Sequence, residues 1–468
     1  MNVVTKTEPQ ILRAHHFVQG KLVQGQEVLH RSRDLGADFT TPAIDLDALI
    51  SPRSEMPPLA DVKMSEIIDF LVETGKHLTL ERNPYLPECL ERVVATSPLP
   101  RRIIENMYTE VGYFLRKDVL WSMVEANFAE PAHLDGWVPK ADIFGRKMSL
   151  RAFPPRIVHM MAGNAPTGCV SSIVQGALVK AVNLFKMSSS DPFTCIAVLR
   201  TMADIDPKHP VVRSMSAIYW RGGDERIERM VYRPQYFDRI IAWGGGPAIN
   251  NVIKYLGPGI QLVSFDPKAS ISMIGAEAFT SDERIAEVAE LAAEDVTIYN
   301  QDACLASRFV FVEGKGPQID KFCAKLLERL GVDRAAGSAV SPLPPSDVRE
   351  EIEVMQAMDD AWKVYGRFDG RGLVIQSDKP VDFHPIGKVA NVVTVPSLDD
   401  ALRYVNVATQ TIGVWPAERK VGLRDRIASA GGQRLCRLGG ANKHALGGPH
   451  DSMYVLPRLV HWMKDEDV

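Results

Sequence analysis

From Arg156 onward, apolar runs of strand length alternate with helical runs, and that alternation leaves few folds open. Ile157-Val158-His159-Met160-Met161 reads as a buried strand, and Gly163-Asn164-Ala165-Pro166 breaks it. Val170 to Val182 is a helical apolar run, and Asn183-Leu184-Phe185-Lys186-Met187 is the next strand. Asp191-Pro192 then sets an N-capping residue before the residue favoured at the first helical position, which predicts a helix through Leu199. Ser216 to Trp220 is a strand, Glu225 to Val231 a short helix, and Arg239-Ile240-Ile241-Ala242-Trp243 a strand again. Strands separated by helices form βαβ units and a parallel sheet. That is a nucleotide-binding architecture, although a fold alone does not state a function.

Gly244-Gly245-Gly246-Pro247-Ala248-Ile249 follows that last strand directly. The glycines admit a ligand close to the backbone. The helix that Pro247 opens offers free N–H groups and a positive dipole end, which suit a phosphate. A tight turn without a ligand is the other reading, and the pattern is not the GxGxxG fingerprint of an ordinary Rossmann dehydrogenase.

A second α/β block begins near Phe265. Thr280-Ser281-Asp282-Glu283 has capping-box spacing and opens a helix towards Asp295. Asn300-Gln301-Asp302-Ala303-Cys304-Leu305-Ala306-Ser307-Arg308 comes next, and Phe309-Val310-Phe311-Val312 follows as a strand. A cysteine at the junction of two elements, among small and polar residues, is within reach of a substrate. Its thiolate is a strong nucleophile, so the site suggests covalent thioester chemistry, although a packing cysteine is the commoner case. Further on, Ile319, Phe322, Leu326, Leu327 and Leu330 mark a helix that Gly331 stops. Val389 to Val395 reads as a strand and Leu398 to Val405 as a helix.

The totals exclude other classes. A chain of 468 residues has room for two or three domains. A net charge of -4 lacks the basic surplus of a nucleic-acid binder. No apolar run is long enough for a membrane span, and the N-terminus lacks the apolar core of a signal peptide. The six cysteines are widely spaced, without a CxxC or a metal-type cluster, which fits free thiols in a reducing, cytoplasmic setting with no metal site. Before residue 145, Ile67, Ile68, Phe70, Leu71 and Leu78 lie on one helix-like segment and Ile103 to Leu115 on another, with no catalytic motif.

Taken together, the order of these motifs from about Arg156 to about Trp462 resembles the aldehyde dehydrogenase superfamily. It is most similar to the acyl-CoA reductase branch typified by the long-chain fatty acid reductases of bacterial bioluminescence. The fold expected is therefore α/β and aldehyde-dehydrogenase-like, with a Rossmann-like cofactor domain, an α/β catalytic domain and a helical N-terminal region. The boundaries expected are a largely helical region over 1–145, an NADPH-binding domain over 146–272 and a catalytic domain with the nucleophilic cysteine over 273–440. A C-terminal segment over 441–468 would pack back on the cofactor side.

The resemblance assigns roles residue by residue. Cys304 falls in the place of the nucleophile, and Asn164 in that of the oxyanion donor beside the cysteine N–H. Lys186 has nearly the spacing of the lysine that contacts the adenosine ribose. Gly244, Gly245 and Gly246 stand where the family carries its pyrophosphate loop.

Departures from the oxidising enzymes are equally informative. Ser189 replaces a ribose-binding glutamate, which removes repulsion towards a 2′-phosphate, and Ser188, Ser189 and Ser190 would be donors to that phosphate, a polar surface loop being the other reading. The choice of cofactor is therefore NADPH. Ser264 replaces the glutamate that activates water, so a thioester would persist for reduction or thiol exchange. Asp266 is the alternative base if the alignment slips by two. His384 roughly replaces a glutamate that binds the nicotinamide ribose. It would bind the ribose, protonate a departing thiolate or alkoxide, or serve structure alone. The Gly447-Gly448-Pro449-His450-Asp451 loop resembles the same branch and carries no assigned chemistry.

The function expected is NADPH-dependent reduction of a fatty acyl-CoA, or another acyl thioester, to the aldehyde through an acyl-cysteine. Coenzyme A would be part of the substrate. An acyl-donor or acyl-carrier protein is a candidate partner, and relatives suggest a homo-oligomer. The rivals are an acid-forming NAD(P)-dependent aldehyde dehydrogenase, an acyltransferase using the same cysteine, and a nucleotide-responsive scaffold.

Overall fold

The structure is a computed structural model and describes residues 11–358 and 362–467. The chain divides into two compact units, one made of residues 1–265 with 454–468 and the other of residues 266–453.

The first unit is built on a seven-stranded sheet. Its strands are β1 (Phe17–Val18), β2 (Lys21–Leu22), β3 (Arg156–Met160), β4 (Val182–Lys186), β5 (Met215–Ile218), β6 (Arg239–Trp243) and β7 (Gln261–Phe265). The spatial order is β7-β6-β3-β4-β5-β1-β2. The five members from β7 to β5 run parallel, and β1 and β2 add an antiparallel edge on the other side. Crossovers α1 (Pro166–Leu178), α2 (Thr194–Ile205), α3 (Glu225–Val231) and α4 (Gly246–Ile253) connect them. Because β4 and β5 build out one side of β3 and β6 the other, the chain reverses direction between β3 and β6. In open α/β sheets, ligands bind outside the carboxyl ends of the strands at such a switch point.

Two helix starts differ in detail from expectation. α2 begins at Thr194, because the Asp191 carboxylate accepts from the N–H groups of Phe193 (3.2 Å) and Thr194 (2.9 Å) ahead of the first turn. The helix opened near Thr280 is capped by Ser281, whose Oγ accepts from Arg284 N at 3.2 Å. Helices Met64–His77, Leu86–Thr96, Arg101–Glu110 and Lys117–Asn127 fill the N-terminal region. Strands Val138–Ala141, Lys147–Phe153 and His461–Glu466 form a small separate sheet.

The second unit has its own seven-stranded sheet. It contains β8 (Ala269–Ile274), β9 (Ser307–Glu313), β10 (Trp362–Gly366), β11 (Leu373–Ser377), β12 (Val389–Val395), β13 (Thr409–Trp415) and β14 (Arg434–Arg437). The order is β10-β11-β12-β9-β8-β13-β14, all parallel but β10. Helices α5 (Asp282–Val296) and α6 (Pro317–Leu330) cover one face. Ile285, Val288, Ala292, Phe322 and Leu326 pack there against Val310, Val312 and Val392. Leu398 begins a short helix that tightens into a 3-10 turn at Leu402–Tyr404 rather than running on as one helix. No helix among the described residues is long and apolar enough to cross a membrane.

Candidate active site

The expected residues gather at two sheet edges. In the first unit they lie at the carboxyl edge. Asn164 sits in the loop that leaves β3, Lys186 ends β4, and Gly244 follows β6. A Cβ at Gly163 would lie 2.3 Å from Ser188 Oγ and 2.8 Å from Ser190 Cβ, so only glycine lets the Asn164 loop press against the serine loop. Lys186 Nζ stands 5.6 Å from the centre of the Tyr219 ring and 5.9 Å from that of Trp220. Burial pulls its ammonium down to about 8; Glu228 works against that shift and Arg33 adds to it. Ser189 Oγ accepts from Arg33 N at 3.3 Å, which brings a second cation beside the serine loop. Ser190 is committed to the Asp34 carboxylate, and Ser188 Oγ accepts from Ser190 N at 3.3 Å.

The glycine turn feeds the N-terminus of α4, an eight-residue helix with Pro247 in its first turn. A Cβ at Gly246 would meet nothing within 4 Å, and one at Gly244 would touch only Ala248. A backbone stripped of side chains, a helix N-terminus and a desolvated lysine form a donor set that fits a dinucleotide phosphate chain and its ribose.

In the second unit the residues lie at the opposite, amino edge. Cys304 precedes β9, the central strand of that sheet, and among the described residues it is the one exposed cysteine. Its loop is held in an unusual shape. Tyr299, Asn300 and Gln301 have φ of +52°, +53° and +73°, three successive non-glycine residues in the left-handed region. Such residues cost about 1–2 kcal/mol each, so the conformation needs support. Asn300 supplies some of it, its Oδ1 accepting from Ser338 N (2.9 Å) and its Nδ2 donating to Ser338 Oγ (2.8 Å). Gln301 supplies more. Its Nε2 donates to the carbonyls of Ser307 (3.1 Å) and Val389 (2.8 Å), and its Oε1 accepts from Val389 N (3.0 Å). Ser270 Oγ, at the start of β8, donates to the Cys304 carbonyl at 2.8 Å and accepts from Thr411 N at 3.1 Å. Three strand starts thereby fix one cysteine.

The crowding that fixes it also acts on the thiol. Although Cys304 presents surface to solvent, desolvation by its neighbours pushes its pKa up; a hydrogen bond from Gln410 pulls it down and the charge of Asp451 pushes it up. Arg308 is buried, donates to the Gln301 carbonyl at 2.9 Å and to that of Pro385, and feels the charge of Cys304. His384 lies beside the same guanidinium, and desolvation together with Arg308 lowers it to about 4. The structure therefore brings Cys304 and His384 to one cation in the second unit. Asn164, Lys186, Ser188, Ser189 and Gly244 to Gly246 belong to the first. Ser264 is half-buried on β7 and Asp266 is exposed just after it. Among the described residues no group of three His, Cys, Asp or Glu side chains is placed to hold a metal ion.

A family profile described as acyl-CoA reductase (LuxC) matches residues 59–462. The chain belongs to the acyl-CoA reductase (LuxC) family. Among curated relatives, the long-chain acyl-protein thioester reductase of Vibrio harveyi is 29% identical over 422 residues, covering 87% of this chain and 84% of the relative. That of Photorhabdus luminescens is 30% identical over 418 residues, covering 87% and 83%. The fold is that of the aldehyde dehydrogenases. A NAD-dependent benzaldehyde dehydrogenase from Corynebacterium glutamicum superposes with a TM-score of 0.72 at 16% identity, over 97% of both chains. An NADP-dependent glyceraldehyde-3-phosphate dehydrogenase from Bacillus halodurans, solved with NADP, gives 0.73 at 12% identity, over 97% of this chain and 99% of that one.

Sequence reasoning missed the residues that shape this acyl-CoA reductase family member's cysteine loop. Gln301 and Arg308 stood in the segment already singled out, where a long polar residue and an arginine flanking a nucleophile were a usable signal. Ser270 and Gln410 lie far from Cys304 along the chain, and no local pattern marks them; Asp451 closes the Gly447–Asp451 loop, which the resemblance picked out without assigning it chemistry.

Proposed function

We propose that this chain reduces a long-chain acyl thioester to the aldehyde, with NADPH as the reductant and Cys304 as the transient carrier of the acyl group. The observation that carries this reading is the placement of Cys304: an exposed thiol, on a left-handed turn locked by side-chain amides, in a member of the acyl-CoA reductase family. The Cys304 sulfur forms a bond to the acyl carbon, and the donor thiol leaves with the electron pair of the bond it breaks. Asn164, by its match to the family motif, donates to the oxyanion. Replacing it by alanine should slow acylation about 10²–10³-fold, measured by single-turnover release of the donor thiol. The Gly244–Gly246 turn, Lys186, Ser188 and Ser189 would hold the nicotinamide cofactor, which when bound would supply the hydride. Collapse of the hemithioacetal returns the electron pair to the Cys304 sulfur and frees the aldehyde.

One substitution favours reduction over acid formation. Ser264 brings no carboxylate to activate water, so the thioester persists. His384, neutral at pH 7 with its imidazole near 4, is a poor proton source for a departing thiolate and suits a hydrogen bond to the nicotinamide ribose. The family's name points to acyl-CoA and the relatives' names to an acyl-protein thioester as the donor. A homo-oligomer in the cytoplasm remains the expected setting.

The test is NADPH consumption with fatty acyl-CoAs and fatty acyl-carrier-protein thioesters of increasing chain length, with the aldehyde trapped. Chain-dependent oxidation with matching aldehyde supports the reading. Acid from free aldehyde, or acyl transfer without NADPH, replaces it.

A further inference from the structure

An N-terminal hairpin outside the dinucleotide sheet reaches the serine loop of the first unit. Strands Glu27–Arg31 and Asp38–Pro42 pair antiparallel. The tip between them closes where Ser32 N donates to Ala37 O at 2.8 Å, with Gly36 in the left-handed region at φ +66°. Both strands pack on the Tyr219 ring, whose centre lies 4.7 Å from that of the His30 ring and 5.0 Å from that of Phe39. Lys186 Nζ stands over the same tyrosine ring.

The tip is pinned to the serine loop from two directions. Thr96, buried at the end of helix Leu86–Thr96, accepts at its carbonyl from Ser32 Oγ (2.9 Å) and donates its hydroxyl to the Ser190 carbonyl (2.9 Å). From the tip itself, Arg33 N donates to Ser189 Oγ at 3.3 Å, and the Asp34 carboxylate accepts from Ser190 Oγ. Asp34 also holds the Arg33 side chain, with Nε donating to Oδ1 at 2.7 Å and Nη2 to Oδ2 at 3.3 Å. One carboxylate therefore joins the guanidinium to Ser190.

The Arg33 side chain is 79% exposed and its partner is the next residue in the chain. An exposed pair of this kind contributes little to folding. The buried Ser32 and Thr96 contacts fix the backbone, so the guanidinium is not there to hold the hairpin. A planar fork that grips a carboxylate grips a phosphate equally well. A phosphate monoester carries about two negative charges near pH 7, so it competes for the fork against the single charge of Asp34.

We propose that Arg33 is a specificity-determining residue for the reductant, its guanidinium binding the 2′-phosphate that separates NADPH from NADH, an assignment that rests on the cofactor reading above. Asp34, tied to Ser190, keeps the guanidinium beside the serine loop. A segment before the helical N-terminal region thereby completes a site that the dinucleotide sheet begins.

The experiment is fluorescence titration of the full chain with NADPH and with NADH, in wild type and in Arg33→Ala. It needs no acyl donor and no turnover. The substitution leaves the Arg33 N–H and the Ser32–Thr96 anchor in place, so NADH binding reports that the edge is intact. NADPH should weaken by about tenfold or more, the loss expected for a charge-assisted hydrogen bond, while NADH stays within about twofold. Arg33→Lys keeps the charge without the fork and should fall between wild type and Arg33→Ala. An NADPH-to-NADH affinity ratio in Arg33→Ala equal to that of wild type overturns the assignment, whether both affinities hold or both fall. A wild type that binds NADPH no more tightly than NADH contradicts the choice of NADPH and takes the assignment with it. Aldehyde formation with either cofactor leaves the reductase reading standing in both cases.

Discussion

The two sheets of this chain carry their candidate chemistry at opposite ends. The first unit uses the carboxyl edge, where β3, β4 and β6 run out into loops and helix N-termini. Backbone does most of the work there: glycines without side chains, free N–H groups, one desolvated lysine. The second unit uses the amino edge, where β8, β9, β12 and β13 begin. Strand starts offer no helix dipole and no ready nest of donors. Side chains therefore build the site: Gln301 and Asn300 brace a left-handed turn, and Ser270 holds the Cys304 carbonyl. Binding a polyanion can be left to generic backbone geometry, whereas presenting one nucleophile at a fixed angle requires specific long-range side-chain contacts.

If the two edges divide the work in this way, each can be broken alone. Cys304→Ala should abolish acyl-enzyme formation and aldehyde production to background, while NADPH binding, followed by fluorescence titration, stays within about twofold of wild type. Loss of cofactor binding in that variant would show that the sites are not separable. The complementary change is Ser189→Glu, which restores a carboxylate beside the expected 2′-phosphate. It should weaken NADPH relative to NADH by about tenfold or more, since like charges brought together cost several kcal/mol. Iodoacetamide labelling of Cys304 should be unchanged.

Smaller effects sharpen the contrast. Gln301→Ala removes three hydrogen bonds from the turn before Cys304. At about 1 kcal/mol each, partly offset by relaxation of the turn, this should lower the melting temperature by a few degrees and slow alkylation. A backbone-built edge has no equivalent single support. Lys186 supplies a pH test of the first edge. As pH rises through about 8 its ammonium loses charge, so NADPH affinity should fall across pH 7.5–9 while NADH affinity falls less. Stability has the opposite sign. Between about 8 and 10.5 the folded chain holds fewer protons at this lysine than the unfolded chain does, so its contribution becomes more favourable as pH rises through that window.

The same contrast explains what could be read without coordinates. The crossover pattern of the first unit was legible because each strand and helix carries its own period, and the Glu225–Val231 helix and the Arg239–Trp243 strand fall where expected. The glycine turn was legible for the same reason: its signal is contiguous. The edge strands Phe17–Val18 and Lys21–Leu22 are too short to show any period, and tertiary pairing to β5 alone makes them strands. At the second edge Cys304 announced itself by its neighbours. Its supports did not, because parallel strand pairing brings Ser270 to Cys304 from 34 residues away along the chain and Val389 to Gln301 from 88 residues away. The left-handed Tyr299-Asn300-Gln301 turn was equally hidden, since only asparagine among the three hints at positive φ.

The central claim is that the acyl group passes through the Cys304 sulfur. The most direct measurement is mass spectrometry of the protein after a brief exposure to a long-chain acyl thioester, with and without NADPH. The account predicts one acyl mass on the peptide containing Cys304, discharged by NADPH with an equal amount of aldehyde. Aldehyde formed without any acylated Cys304, or an acyl group stable on a different residue, would contradict it.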